Sequence, residues 1–271
     1  MKLRIMPARM GLTWIGHGLR ACVRQPLGFV GLLGLIASAA MLLIGIPVLG
    51  PLLVVGFMPL VWMAFMLASR RVLNQQRVTP TVLVEPLREP NPITMRREWA
   101  KLGGAYVLGT LLVMQLADAF GPGSDALAKA LESAKQASDV LDNPDVQADL
   151  LWRLVLTLPM SLLFWHTPAL IYWGRLPVLK ALFFSAVACW RNLGAFVLFG
   201  LGWLGAGVVL AVIDRVLVAA VPEPLIVNVL MTMAAMWLAA AFYASLYFTV
   251  VDCFEPDESS AAMVDMPPTK P

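Results

Sequence analysis

The stretch "QPLGFVGLLGLIASAAMLLIGIPVLGPLLVVGFMPLVWMAFMLAS" (residues 25–69) contains no Asp, Glu, Lys or Arg. Its 45 residues exceed one bilayer crossing of about 20 residues and suit two. Within it, "IPVLGP" (46–51) carries two prolines and a glycine and marks a tight turn. The first crossing is therefore read near 27–46 and the second near 51–69. Both are helical, because in hydrocarbon each segment must satisfy its own backbone hydrogen bonds.

The same charge gaps recur outward from this stretch. They place a third span at 102–120, a fourth at 154–173, a fifth at 193–213 and a sixth at 226–250. The fold class is all-α, a polytopic transmembrane helical bundle of six spans. Composition agrees: 59% of residues are hydrophobic, 14% are charged and mean hydropathy is +0.77, against about 25% charged in soluble domains. Basic residues run to Arg24 and the apolar stretch beyond is far longer than a cleaved signal core, so the first span is expected to be retained.

Charge sets the threading. Sixteen of the twenty cations fall in the N-terminal arm, the segment 70–101, the segment 175–191 and the tail; four fall on the other side. By the positive-inside rule both termini are cytoplasmic in a bacterial inner (plasma) membrane. Residues 118–153 then form a periplasmic helical loop and 255–271 a disordered acidic cytoplasmic tail, around a single transmembrane domain, 1–254. In the loop, 124–141 has amphipathic helix spacing, with Ser124 as N-cap. It reads as a solvated cap, or as a docking face for a protein partner.

One phrase is written twice. Ala21-Cys22-x-Arg24-Gln25 returns as Ala188-Cys189-x-Arg191-Asn192, and Phe29-Val30 as Phe196-Val197. Each copy closes a short helix before a span. In 11–24 the apolar positions are Leu12, Ile15, Leu19 and Val23, with His17, Arg20 and Arg24 on another face. In 177–191 they are Leu179, Leu182, Phe183, Ala186 and Trp190, with Lys180 and Arg191. Such helices suit the cytoplasmic headgroup layer, so His17, Arg20, Arg24, Lys180 and Arg191 are candidate contacts to anionic lipid. The units 11–73 and 177–254 form a partial parallel internal repeat.

With "RQPL", "IPVLGPLL", "FWHTPAL", "LPVLKALFFSAVACWRN" and "YASLY", the chain resembles a family of uncharacterised bacterial integral membrane proteins of about six spans. Related membrane modules are fused to glycerophosphodiester phosphodiesterases. The resemblance implies a membrane module rather than a catalyst and supplies no catalytic residues.

His166, in Trp165-His166-Thr167-Pro168, is a titratable side chain well inside a span. Such residues are functional candidates. Pro168 removes a backbone donor and frees a carbonyl near 164. Residues His166, Thr167 and Pro168 are thus candidates for a ligand or ion site, the alternative being a neutral histidine bonded between helices. Cys22, Cys189 and Cys253 lie far apart without C-x-x-C, which argues against a disulfide framework or a metal site. No cofactor and no nucleic acid are expected, and no nucleophile–base set is visible, so the chain is read as no enzyme. The leading reading is a non-catalytic membrane module that organises lipid or a partner. The alternative is a transporter or channel for a small solute or ion, with its site near His166.

Overall fold

The computed structural model describes residues 2–88, 92–133 and 143–255. The expected tail lies outside the described residues beyond Glu255, as do positions 134–142 of the loop. Helix α1 (Met10–Arg24) leads into α2 (Pro26–Ile44), and α3 (Leu49–Leu73) returns. The chain continues through α4 (Pro92–Phe120), α5 (Ser124–Ser133) and α6 (Pro144–Phe164), which a short break separates from α7 (Thr167–Tyr172). Helices α8 (Val178–Arg191), α9 (Leu193–Ala220) and α10 (Pro224–Cys253) complete it. Six segments are long and apolar enough to cross a membrane: α2, α3, α4, α6 with α7, α9 and α10. The architecture is an all-α polytopic bundle.

The helices outrun the charge gaps that locate them. Helix α4 begins at Pro92 rather than near 102, because Arg96, Arg97, Glu98 and Lys101 continue the same helix beyond the apolar stretch. At the other end of the bundle Asn143 caps α6, its side chain accepting from the amides of Asp145 and Val146.

A two-residue antiparallel pairing joins β1 (Lys2–Leu3) to β2 (Phe254–Glu255), with Lys2 opposite Glu255 and Leu3 opposite Phe254. It brings the two described ends of the chain together on one face of the bundle, called here the terminal face. The core gathers toward that face. Met63–Ser69 of α3, Thr167–Tyr172 of α7 and Ala244–Val250 of α10 are buried on all sides. Toward the opposite face, α2 and α9 turn large apolar side chains such as Met41, Leu42, Leu204 and Val209 outward.

Helix α1 wedges against α9 and α10 on this packed side. Its approach requires glycine: a Cβ on Gly18 would lie 2.5 Å from Cβ of Ser245, and one on Gly11 would lie 2.2 Å from the Ala195 carbonyl oxygen. The buried stripe of α1 is Gly11, Trp14, Gly18, Ala21 and Cys22. That of α8 is Val178, Ala181, Ser185, Ala188 and Cys189. Aligned on the cysteine, the five positions coincide. Of the apolar positions named from sequence, Leu12, Val23, Leu179, Phe183 and Trp190 are exposed. Surrounding lipid is as apolar as a protein core, so a large apolar side chain has no need to face inward, whereas close helix contact selects small ones. Partners differ: α8 packs on α6 and α7.

Candidate functional site

The corner residues of the repeated phrase each hold a passing segment of backbone. Gln25 donates from Nε2 to the Gln76 carbonyl (2.7 Å) and accepts at Oε1 from the Val78 amide (2.8 Å). Asn192 accepts at Oδ1 from the Met6 amide (2.6 Å) and donates from Nδ2 to the Arg4 carbonyl (3.1 Å). Both carboxamides thus bridge residue n and residue n+2 of an extended segment. Asn192 also donates to the Ala188 carbonyl (2.9 Å), which is the local bond at the bend. Nearby, the Trp14 indole N–H donates to Oδ2 of Asp252 (2.8 Å), both residues being buried.

Arg20, Arg24, Lys180 and Arg191 are exposed on the terminal face. His17 is half-buried instead. Its ring packs on Phe248 at 5.0 Å between centroids, and Nδ1 has no hydrogen-bond partner. Burial, then the Arg20 charge, lower its pKa, and Asp252 partly offsets them. Burial pushes the Cys22 thiol up to about 11 and raises Cys189 as well, so neither is a ready nucleophile.

His166 lies in the break between α6 and α7, fully buried with Thr167 and Pro168. Ser185 explains the break. Its hydroxyl accepts from the His166 amide (3.0 Å) and donates to the Leu162 carbonyl (3.0 Å). It is thereby inserted into the helical bond that would join those two groups, a recognised cause of kinks. The Thr167 hydroxyl takes the Leu163 carbonyl (2.6 Å). The imidazole meets Cys189 Sγ at Nδ1 (3.5 Å) and the edges of Phe196 and Phe254, and Nε2 has no hydrogen-bond partner. Among the described residues no three of His, Cys, Asp and Glu converge as metal ligands.

Among the open spaces between described residues, two bear on function. Between α3 and α4 runs a groove of about 580 Å³, lined by Leu52, Gly56, Leu60, Gly103, Gly104 and Val107 among other apolar groups, with Arg96 and Trp99 at its terminal-face end. The Arg96 Nε–H donates to the Leu87 carbonyl (3.3 Å). Between α3, α4, α6 and α10 is a partly enclosed cavity of about 250 Å³. It is lined by Trp62, Tyr106, Trp165, Phe242 and Tyr243, together with Met58, Met160, Thr157, Ser161 and Leu246. His166 is not among its walls. Sequence reasoning passed over this cavity and the Trp14–Asp252 bond. The available signal was tyrosine inside apolar spans, where a hydroxyl needs a reason to be.

Over 263 residues the chain is 32% identical to a protein of Burkholderia thailandensis named a probable inner membrane protein, covering 96% of this chain and 97% of that one. The chain belongs to this inner membrane family. No family model matches the chain, and no solved structure does. The relation, together with six membrane-length apolar helices, makes it a multi-pass inner membrane protein.

Proposed function

We propose that the protein is a non-catalytic membrane module that holds anionic phospholipid, with the terminal face in the cytoplasm. The groove between α3 and α4 carries this reading: its walls are apolar and one guanidinium stands at its end. An acyl chain gains little by leaving other lipid for such walls, since lipid tails are as apolar as leucine. Choice among lipids therefore falls to the headgroup, and a basic residue near an anionic surface is worth about 1 kcal/mol. The exposed cations Arg20, Arg24, Lys180 and Arg191 extend the same attraction around the face. Large apolar groups beside them, Leu179 (81% exposed) and Trp190 (70%), suit the layer below the headgroups. The cytoplasmic assignment rests on the sixteen cations on that side of the threading. The likeness to modules attached to phosphodiesterases fits a supporting rather than catalytic role. Coincident buried positions in α1 and α8, with two bridging carboxamides, favour an origin of 11–73 and 177–254 by duplication. Transport through His166 has less support, because that ring is sealed on all sides.

Native mass spectrometry of the purified protein with phosphatidylglycerol and phosphatidylethanolamine tests the lipid reading. Phosphatidylglycerol should be retained preferentially, and Arg96→Gln should reduce the preference roughly fivefold. Gly104→Leu should displace the lipid by filling the groove, since a Cβ there meets open space. Equal retention of both lipids by the wild type would refute the proposal.

A further inference from the structure

We infer that the aromatic cavity between α3, α4, α6 and α10 binds a small free solute bearing a quaternary ammonium group. The rings stand nearly at right angles in pairs: Trp62 with Tyr106 (5.3 Å, 83°) and Trp165 with Phe242 (6.3 Å, 90°). Two such corners make a box of π faces and edges, and π faces attract cations. Other wall groups add electron-rich atoms. Met58 and Met160 on the wall carry thioether sulfur, a weak acceptor. The hydroxyl hydrogens of Thr157 and Ser161 are already given to the carbonyls of Arg153 and Thr157, so their oxygens remain as acceptors.

The indole donors on the wall are likewise occupied. The Trp165 N–H donates to Thr249 Oγ1 (3.2 Å), and the Trp62 N–H lies beside the Tyr243 hydroxyl. No formally charged residue lines the space. An anion would meet no positive charge, and only the phenol hydroxyls of Tyr106 and Tyr243 as further donors. A primary ammonium would bring three N–H groups that need well-placed acceptors, whereas a quaternary one has none and spreads its charge over carbon.

Size and depth narrow the class. The volume lies below the range of about 300–1,000 Å³ typical of drug-sized ligands. The walls come from mid-helix positions of α3, α4 and α6, deeper than a phospholipid headgroup sits. A free solute is therefore favoured over a lipid choline group. Nothing in this assignment depends on the α3–α4 groove, and Arg96→Gln should leave it unchanged.

Isothermal titration of the detergent-purified protein compares choline with 3,3-dimethylbutan-1-ol, which has the same shape without the charge. Choline should bind saturably and the neutral compound at least ~10-fold more weakly. Trp62→Leu and Tyr106→Leu should each weaken choline roughly fivefold or more, while Tyr106→Phe, which keeps the ring, should stay within about twofold. Thermal melts confirm that the variants fold. Equal binding of the neutral compound, no saturable choline heat from the wild type, or undiminished affinity in folded Trp62→Leu would each overturn the inference. Displacement of choline by phosphatidylcholine would overturn the choice of a free solute.

Discussion

At the residue scale, the terminal face is organised around a buried carboxylate. Asp252 is tolerated there because it is hydrogen-bonded, the Trp14 indole donating at 2.8 Å. His17 lies one turn along α1, against Phe248. Its pKa is lowered from 6.5 by burial first and by Arg20 second, against the pull of Asp252. The sign follows from which state binds the proton more readily. With the folded value below the unfolded one, the unfolded chain takes up protons first as pH falls. The stability contributed by neutral His17 is thus complete above about pH 6.5 and is lost as pH drops through the folded value. Melting temperature in detergent should fall between pH 7.5 and pH 5, and His17→Gln should shrink that fall. Identical pH profiles for the two proteins would remove His17 as the cause.

At the scale of elements, two carboxamides fix the corners where short helices give way to spans. Each satisfies a backbone amide and a carbonyl of a segment distant in sequence. Asn192→Ala should cost about 1–3 kcal/mol, because partly buried backbone groups lose their partners. Hydrogen exchange at the Met6 amide is the local readout, and it should accelerate while the centre of α10 stays protected. Gln25→Ala should do the same at Val78. A Met6 amide that exchanges no faster in Asn192→Ala would show that the arm is held by the β1–β2 pairing alone. The carboxamide at the second corner was legible as the counterpart of Gln25 in the repeated phrase, and its bond to Ala188 closes the bend there. Its hold on residues 4–6 was not legible, since nothing local in the sequence links positions 186 residues apart. Ser185 is a similar case. Pro168 pointed to a freed carbonyl near 164, but the hydroxyl that enters the bond between His166 and Leu162 comes from α8.

At the scale of the whole molecule, packing is uneven between the two faces. Phe65 is fully buried, with Phe29 and Tyr243 stacked on it at 6.3 and 5.0 Å. Leu204 on α9 is 65% exposed and meets lipid. Phe65→Ala should cost about 3–5 kcal/mol through the cavity it leaves. Leu204→Ala should cost under about 0.5 kcal/mol. Comparable losses in a detergent melt would contradict the uneven packing.

Number and order of the apolar spans were legible because formal charge is expensive in hydrocarbon, so every charged residue had to leave it. That rule acts on each segment alone and needs no knowledge of neighbours. It drew the hairpin from 25–69 and the split of cations between the two sides. Which faces meet was decided only in three dimensions. In a bilayer the solvent and the protein interior are equally apolar, so large apolar residues such as Leu12 and Leu179 point outward, while Gly11, Gly18 and Ser185 make the contacts. The aromatic cavity has the same origin. Trp62, Tyr106 and Tyr243 come from three helices and Trp165 from the break between α6 and α7, and only their tertiary convergence brings the scattered rings together.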